Sequence, residues 1–198
     1  MSVSIRPAHG SDLPYLYEIC LKTGFSGADA EALFDDPYMI GQYYAAPYLF
    51  FEPEFCFVAE EDSRPRGYIL CASDTARFIP WFEGEWLPLL RKRYAEDHPA
   101  RSDFERQILA TIRRPLEPDP FAEAYPAHLH IDLLPVLQGK GCGRALVDTL
   151  VAALRARGVP GLHLGVGAAN VNAIAFYRKL GFAALKEEDW GLVMGMRL

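Results

Sequence analysis

The chain has 198 residues, 51% of them hydrophobic, and a formal net charge of −6. That length and apolar content suit one α/β domain with a sizeable core and exclude a disordered chain. The acidic balance argues against a nucleic-acid partner, since such binding rests on neutralising phosphates. No basic-plus-apolar leader and no apolar run of about 18 residues appears, so the chain is expected to be cytoplasmic and without a membrane partner.

Val3–Arg6 alternates as a short strand that Pro7 ends, and Asp12 can cap a helix over Leu13–Lys22. A second helical stretch is predicted from Asp29 to Tyr44, broken around Pro37. Glu54–Glu60 and Arg66–Ser73 read as strands joined in an antiparallel hairpin across the charged turn Glu61–Pro65. Residues 74–126 interrupt this order with helical spacing over Phe82–Glu96 and Asp103–Arg113, then prolines at 115, 118, 120 and 126. A strand over Ala127–Leu134 follows, then a glycine loop over Gln138–Gly143. The next helix carries Leu146, Leu150, Ala153 and Leu154 on one stripe and ends at Gly158. Leu162–Val166 is another strand, Asn170 or Asn172 can cap a helix over Ala173–Leu180, and Phe182–Lys186 and Leu192–Leu198 close the chain as strands. The order implies a single α/β domain over residues 1–198, a mixed sheet with helices on both faces and a helical insertion at 74–126. The cysteines Cys20, Cys56, Cys71 and Cys142 show neither a CxxC pair nor zinc spacing, and read as small core residues.

The loop Gln138-Gly139-Lys140-Gly141-Cys142-Gly143-Arg144 sits between a strand and a helix. Glycines there let the backbone turn with positive φ and bring N–H groups close to a phosphate. The helix start adds unpaired N–H groups and the positive end of its dipole, with Lys140 and Arg144 beside it. The spacing is not that of a nucleotide triphosphatase, GxxxxGK[ST]. Nor is it that of a dinucleotide site, because Leu146 stands where the third glycine belongs.

Leu133-x-Pro135-x-x-Gln138-x-x-Gly141-x-Gly143 resembles the coenzyme A signature of the GNAT N-acetyltransferase superfamily. Asn170-x-x-Ala173-x-x-x-Tyr177-x-x-x-Gly181-Phe182 is similar to a second motif of the same superfamily, in the same order. The resemblance implies a GNAT fold, with a mostly antiparallel central sheet. It also implies acetyl-CoA as cofactor and a primary amine as acceptor. Leu133 and Leu134 would then offer backbone groups to pantetheine, and Gln138, Gly139, Lys140, Gly141, Cys142, Gly143 and Arg144 would hold the pyrophosphate. Asn170, Ala173 and Tyr177 would complete the cofactor site. A narrower likeness, through Ser4-Ile5-Arg6-Pro7, Cys56-Phe57-Val58, Gly67-Tyr68 and Trp86 to Tyr94, is to the acetyltransferase-like domain of eukaryotic O-GlcNAcase. That domain's glycine signature is degraded, whereas this chain keeps it, so a non-catalytic acyl-CoA-binding module stands as the alternative to an enzyme.

Amine acetylation needs a proton acceptor and a proton donor for the departing thiolate. Tyr177 matches the family tyrosine placed near the cofactor sulfur and is the candidate donor. Strand Ala127–Leu134 puts His128, His130 and Asp132 on one face and Leu129, Ile131 and Leu133 on the other. Several family members keep a glutamate early in this strand, where the chain has Ala127 and His128. Asp132 is the first candidate base and His130 the second. The same His-x-His-x-Asp face has weak metal-binding potential with no further ligand cluster evident. The aromatic-rich insertion, with Phe78, Trp81, Phe82, Trp86 and Tyr94, is expected to cover the acceptor pocket or form a homodimer contact. A self-packed helical hairpin is the simpler outcome.

Overall fold

Short alternating segments assemble into one sheet in the computed structural model, which describes residues 3–198. Among the described residues the strands are β1 (Val3–Pro7), β2 (Phe57–Glu61), β3 (Arg64–Ala72), β4 (Ala127–Leu133), β5 (Gly161–Gly167), β6 (Ala183–Glu188) and β7 (Gly191–Arg197). They lie in the order β1-β2-β3-β4-β5-β7-β6, and only β4 and β5 are parallel. That parallel pair is brief. Ala127 pairs with Leu162 and His128 with His163, and from Leu129 onward the two strands have no pairing.

Alternation along β3 divides the core. Tyr68, Leu70 and Ala72 face one apolar cluster, while Ile69 and Cys71 face the other. The first cluster is covered by α1 (Leu13–Thr23), α2 (Met39–Tyr44), α3 (Ala46–Phe51), α4 (Thr75–Trp81), α5 (Leu87–Arg93) and α6 (Asp103–Arg113). The second packs beneath α7 (Cys142–Ala156) and α8 (Val171–Lys179). The α7 stripe of Leu146, Leu150 and Leu154 is fully buried, and Gly158, with φ of 75°, ends the helix as expected. All four cysteines are buried and free. Among the described residues no helix is long and apolar enough to cross a membrane.

Three elements differ from the sequence-based expectation. The stretch from Asp29 to Tyr44 is helical only at Glu31–Leu33, as a 3-10 turn, and at α2. Asp29 instead accepts from Lys22 Nζ (2.8 Å) and from the Glu31 amide (2.8 Å), and Asp36 accepts from the Tyr38 amide (2.9 Å). These local side-chain bonds hold the chain in turns. The β2–β3 connection is tighter than Glu61–Pro65. Asp62 and Ser63, both with positive φ, make a two-residue turn, and Pro65 lies within β3 opposite Glu60. The insertion's first helix begins at Thr75, where the Asp74 side chain accepts from the Arg77 amide (3.1 Å). It then passes through a π turn at Phe82–Trp86 before α5. Pro88 has no N–H to give Gly84, and the Leu87 amide reaches back to the Phe82 carbonyl instead.

The insertion is not a self-packed hairpin. Phe78, Phe82, Leu87, Leu90, Tyr94, Ile108, Leu109 and Ile112 share one cluster with Leu16, Ile19 and Met39 from the rest of the domain. Its two ends are clamped together, because the Thr75 amide and hydroxyl both donate to the Pro126 carbonyl at 2.7 Å. Glu105 is fully buried and receives the amides of Asp35 (3.1 Å) and Arg101 (2.6 Å), tying α6 to the loop after α1. Removing that carboxylate leaves two amides without acceptors, so Glu105→Ala is expected to lower stability by about 2–4 kcal/mol. Because the core is shared, denaturant melts followed by circular dichroism and tryptophan fluorescence should coincide in one transition. An earlier, separate transition of the insertion would contradict the shared core.

Candidate functional site

Where β4 and β5 part, the sheet opens into a cleft. A cavity of about 610 Å³ fills it, walled by Thr23 at the end of α1, Ser26, Gly27 and Ala28 beyond it, the end of β4, the glycine loop and one side of α8. The Leu134 amide donates to the Arg66 carbonyl of β3 (2.8 Å), so by antiparallel alternation the backbone groups of Ile131 and Leu133 face the open side. β5 has left them there without a strand partner. Leu134 differs from the expectation. Its amide serves Arg66 and its carbonyl accepts from Leu137 (2.9 Å), whereas the backbone of Ile131 is left facing the cleft. Gln138 also acts locally, its Nε2 donating to the Leu133 carbonyl at 2.9 Å and fastening the loop to the strand.

The glycine loop presents its backbone to this cavity. The amides of Gly139, Lys140, Gly141, Cys142, Gly143 and Arg144 make no hydrogen bond of ordinary geometry to the protein. Gly139 (φ 72°) and Gly141 (φ 82°) are left-handed, and a Cβ on either would meet no atom within 4 Å. The space beside both glycines is therefore open, next to unpaired N–H groups at the start of the 15-residue α7. Gly143 serves packing, since a Cβ there would lie 3.1 Å from the Phe176 ring. Arg144 lines the cavity, while Lys140 turns away toward Glu61 (3.7 Å) and Cys142 is buried behind the loop in the second core. Asn170, rather than Asn172, caps α8 by accepting the Ala173 amide (3.2 Å), and all three residues border the cavity. A diphosphate ester fits this cup: free N–H groups, room at both glycines and one guanidinium, with no carboxylate in the loop.

The polar face of β4 lies as the alternation predicts. Asp132 borders the cavity and accepts from the Tyr68 hydroxyl at 2.5 Å, across the β3–β4 register that sets these residues opposite one another. Burial raises its carboxyl to about 6, against a partial lowering by the Tyr68 bond. Tyr177 lines the same cavity. Burial, then the nearby Asp132 charge, push its phenol well above the usual range, so it stays protonated. His130 lies between the rings of Tyr44 and Tyr48 (5.3 Å to each), and burial lowers it to about 4. His128 is lowered to about 3, by burial first and then by neighbouring histidines. Both imidazoles are neutral at pH 7.

His128 and His130 open into a second cavity of about 280 Å³ on the same strand face. Tyr43, Tyr44 and Tyr48 wall it from α2 and α3, Phe78, Phe82 and Asp119 from the insertion, and Trp190 from the β6–β7 turn. His163 of β5 contributes its ring, with Nδ1 at 2.7 Å from the Tyr125 carbonyl and Nε2 at 3.2 Å from Asp119 Oδ2. Among the described residues no group of three or more metal-ligating side chains forms. Sequence reasoning missed Tyr68, Ile131, Phe176 and the Thr23–Ala28 wall. Each is brought in by register or by a distant segment, and only Gly67-Tyr68 carried any signal in the chain.

The acetyltransferase (GNAT) family model matches residues 25–182. The O-GlcNAcase of Rattus norvegicus is 24% identical over 181 residues, covering 90% of this chain and 20% of that protein. The chain thus spans about one fifth of the length of the O-GlcNAcases it matches. The [ribosomal protein bS18]-alanine N-acetyltransferase of Escherichia coli is 50% identical over 48 residues, covering 24% of this chain and 32% of that protein. The crystal structure of SsHAT superposes with a TM-score of 0.90 at 40% identity, covering 100% of this chain and 98% of that one. The PaiA N-acetyltransferase from Thermoplasma acidophilum, solved in complex with coenzyme A, shares the fold at a TM-score of 0.59 and 17% identity, covering 100% of both chains. With the family model matching most of its length and a 40% identical structure superposing over all of it, the chain belongs to the acetyltransferase (GNAT) family.

Proposed function

We propose that the chain is an acetyl-CoA-dependent N-acetyltransferase that moves an acetyl group directly onto a primary amine. The observation that carries this is the run of unengaged amides over residues 139–144, set where the β4 backbone also lacks a strand partner. The loop and the start of α7 would hold the pyrophosphate with Arg144, and Ile131 and Leu133 would bond the pantetheine arm. Bound acetyl-CoA supplies the activated acyl group and the thiol that leaves.

The remaining chemistry belongs to side chains. An alkylammonium, near pKa ~10.4 in water, does not give its proton readily to a carboxylate near 6. Enclosure narrows that gap, because the burial that raises Asp132 also lowers an ammonium brought beside it. Asp132 takes the proton directly or through water, and the neutral amine attacks the acyl carbon. Tyr177, held protonated, donates to the sulfur as charge develops there, and its proton completes the departing thiol. A non-catalytic acyl-CoA-binding module remains the second reading, favoured by the match to O-GlcNAcase.

Calorimetry should detect acetyl-CoA binding in the micromolar range. Gly141→Glu should abolish it by placing a carboxylate in the cup, while Gly141→Ala, with the same backbone cost, should keep more of it. Wild-type protein that fails to bind at millimolar cofactor would overturn the proposal. Tyr177→Phe should slow thiol release about tenfold to a hundredfold with little change in cofactor affinity. An equal loss of both would remove Tyr177 from the donor role. Tight binding with no turnover on any amine would favour the module.

Asp132 also gives a stability signature. Its folded-state value of about 6 stands above the ordinary 3.8, so the folded chain holds an extra proton between those values. The resulting stabilisation is present below the ordinary value and is lost as pH rises through about 6. Asp132→Asn, which keeps an acceptor for Tyr68, should therefore be the more stable protein at pH 8. The gain is at most about 3 kcal/mol, less where solvent enters through the cavity, and should vanish at pH 4. The same variant should lose the limb of the pH–rate profile near 6. Thermal melts and kinetics at both pH values check the two effects together, and a less stable variant at pH 8 would contradict the burial of this charge.

A further inference from the structure

We propose that the smaller cavity is the acceptor site, and that it takes the aromatic or apolar body of a small primary amine whose nitrogen reaches along the strand past His130 toward Asp132. The proposal rests on the acetyltransferase reading and specifies its acceptor.

Position comes first. His128 and His130 line the smaller cavity and Asp132 the larger, so one strand face joins the two. Successive residues of one face lie about 7 Å apart along a strand. Two such steps separate His128 from Asp132, so a body lodged over His128 and His130 directs its amine along the strand toward the cleft that Asp132 and Tyr177 line.

Hydrogen bonding then fixes His128. The Thr75 hydroxyl has one proton, and it goes to the Pro126 carbonyl at 2.7 Å. Thr75 Oγ1 can only accept from His128 Nδ1, 2.7 Å away, so Nδ1 carries the ring proton. Nε2 is left as a bare acceptor. It has no partner among the described residues and is not sealed from the cavity. The neck of the insertion thus sets the tautomer of a residue at the cavity wall.

The walls define the rest of the ligand. Tyr44, Tyr48, Phe78, Phe82 and Trp190 present ring surface, which suits an aromatic body edge-on or an ammonium over a face. Gly165 helps to admit the indole, since a Cβ there would stand 2.8 Å from the Trp190 ring. No lysine or arginine lines the cavity, so an anionic ligand finds no partner. Asp119 supplies its lone carboxylate, and that group is committed to His163. Burial alone would raise Asp119, but the bonds from His163 and the Phe121 amide outweigh it and hold it below the usual range. A polyamine or aminoglycoside, with several ammonium groups, therefore lacks counter-charges here. A volume of about 280 Å³ is also at the small end of ligand sites, which run to ~1,000 Å³.

The test compares 2-phenylethylamine with spermidine, kanamycin and a lysine-containing peptide, by thiol release at saturating acetyl-CoA. Phenylethylamine should exceed each of the others in kcat/KM by at least about tenfold. Trp190→Ala, at an exposed position, should raise the KM for phenylethylamine about tenfold while acetyl-CoA affinity holds. Equal or better turnover of a polycation or the peptide overturns the proposal, as does an unchanged KM in Trp190→Ala. If no amine is turned over, calorimetric titration of phenylethylamine into protein saturated with coenzyme A decides. Saturable binding weakened by Trp190→Ala supports the site while the catalytic reading fails; no binding at millimolar amine overturns it. Where acetyl-CoA itself does not bind, the same titration of the free protein reads the cavity alone.

Discussion

The parting of β4 from β5 after His128 is the constraint from which the rest of the site follows. A sheet that stayed paired would satisfy the backbone groups of Ile131 and Leu133 and leave no cleft. Because the strands diverge, those groups are left without a strand partner, and only the Leu133 carbonyl is met from within, by Gln138. The loop opens in the same direction, since the residues after Leu133 turn into a 3-10 segment and then into the glycines that open α7. Strand end and helix start face one cavity from adjacent sides.

The polar side of β4 is costly for the same reason that it is useful. Two neutral imidazoles and a carboxylate stand on a face that otherwise packs against an apolar cluster. Each is kept in place by a specific neighbour: Thr75 for His128, the rings of Tyr44 and Tyr48 for His130, and Tyr68 for Asp132. The insertion contributes to this support rather than standing apart, because its neck at Thr75 and Pro126 touches the histidine directly. Under the proposed mechanism stability and chemistry are in tension along this strand, and removing the charge at Asp132 would trade one for the other.

Much of this was legible from local pattern. The glycine loop, the α7 stripe and the alternation of His128, His130 and Asp132 are short-range features with a fixed period, and they fold as their spacing dictates. What the chain concealed depends on distant partners. The Tyr68–Asp132 bond spans 64 residues and is fixed only by strand register. Helical spacing over residues 29–38 was outcompeted by side-chain bonds from Asp29 and Asp36. Pro80 and Pro88 obscured the first insertion helix, which tolerates one proline inside and bulges ahead of the other. The smaller cavity draws its walls from six separated segments, and no periodicity within any one of them announces it.

The most direct test of the account is an amide-resolved NMR titration of the protein with acetyl-CoA. The signals of residues 139–144, together with those of Ile131 and Leu133, should shift and exchange more slowly with solvent as the cofactor saturates, while the Leu134 amide, already bonded to Arg66, should keep its protection. If millimolar cofactor leaves the amides of residues 139–144 where they began, the loop is not a phosphate cup and the account is contradicted.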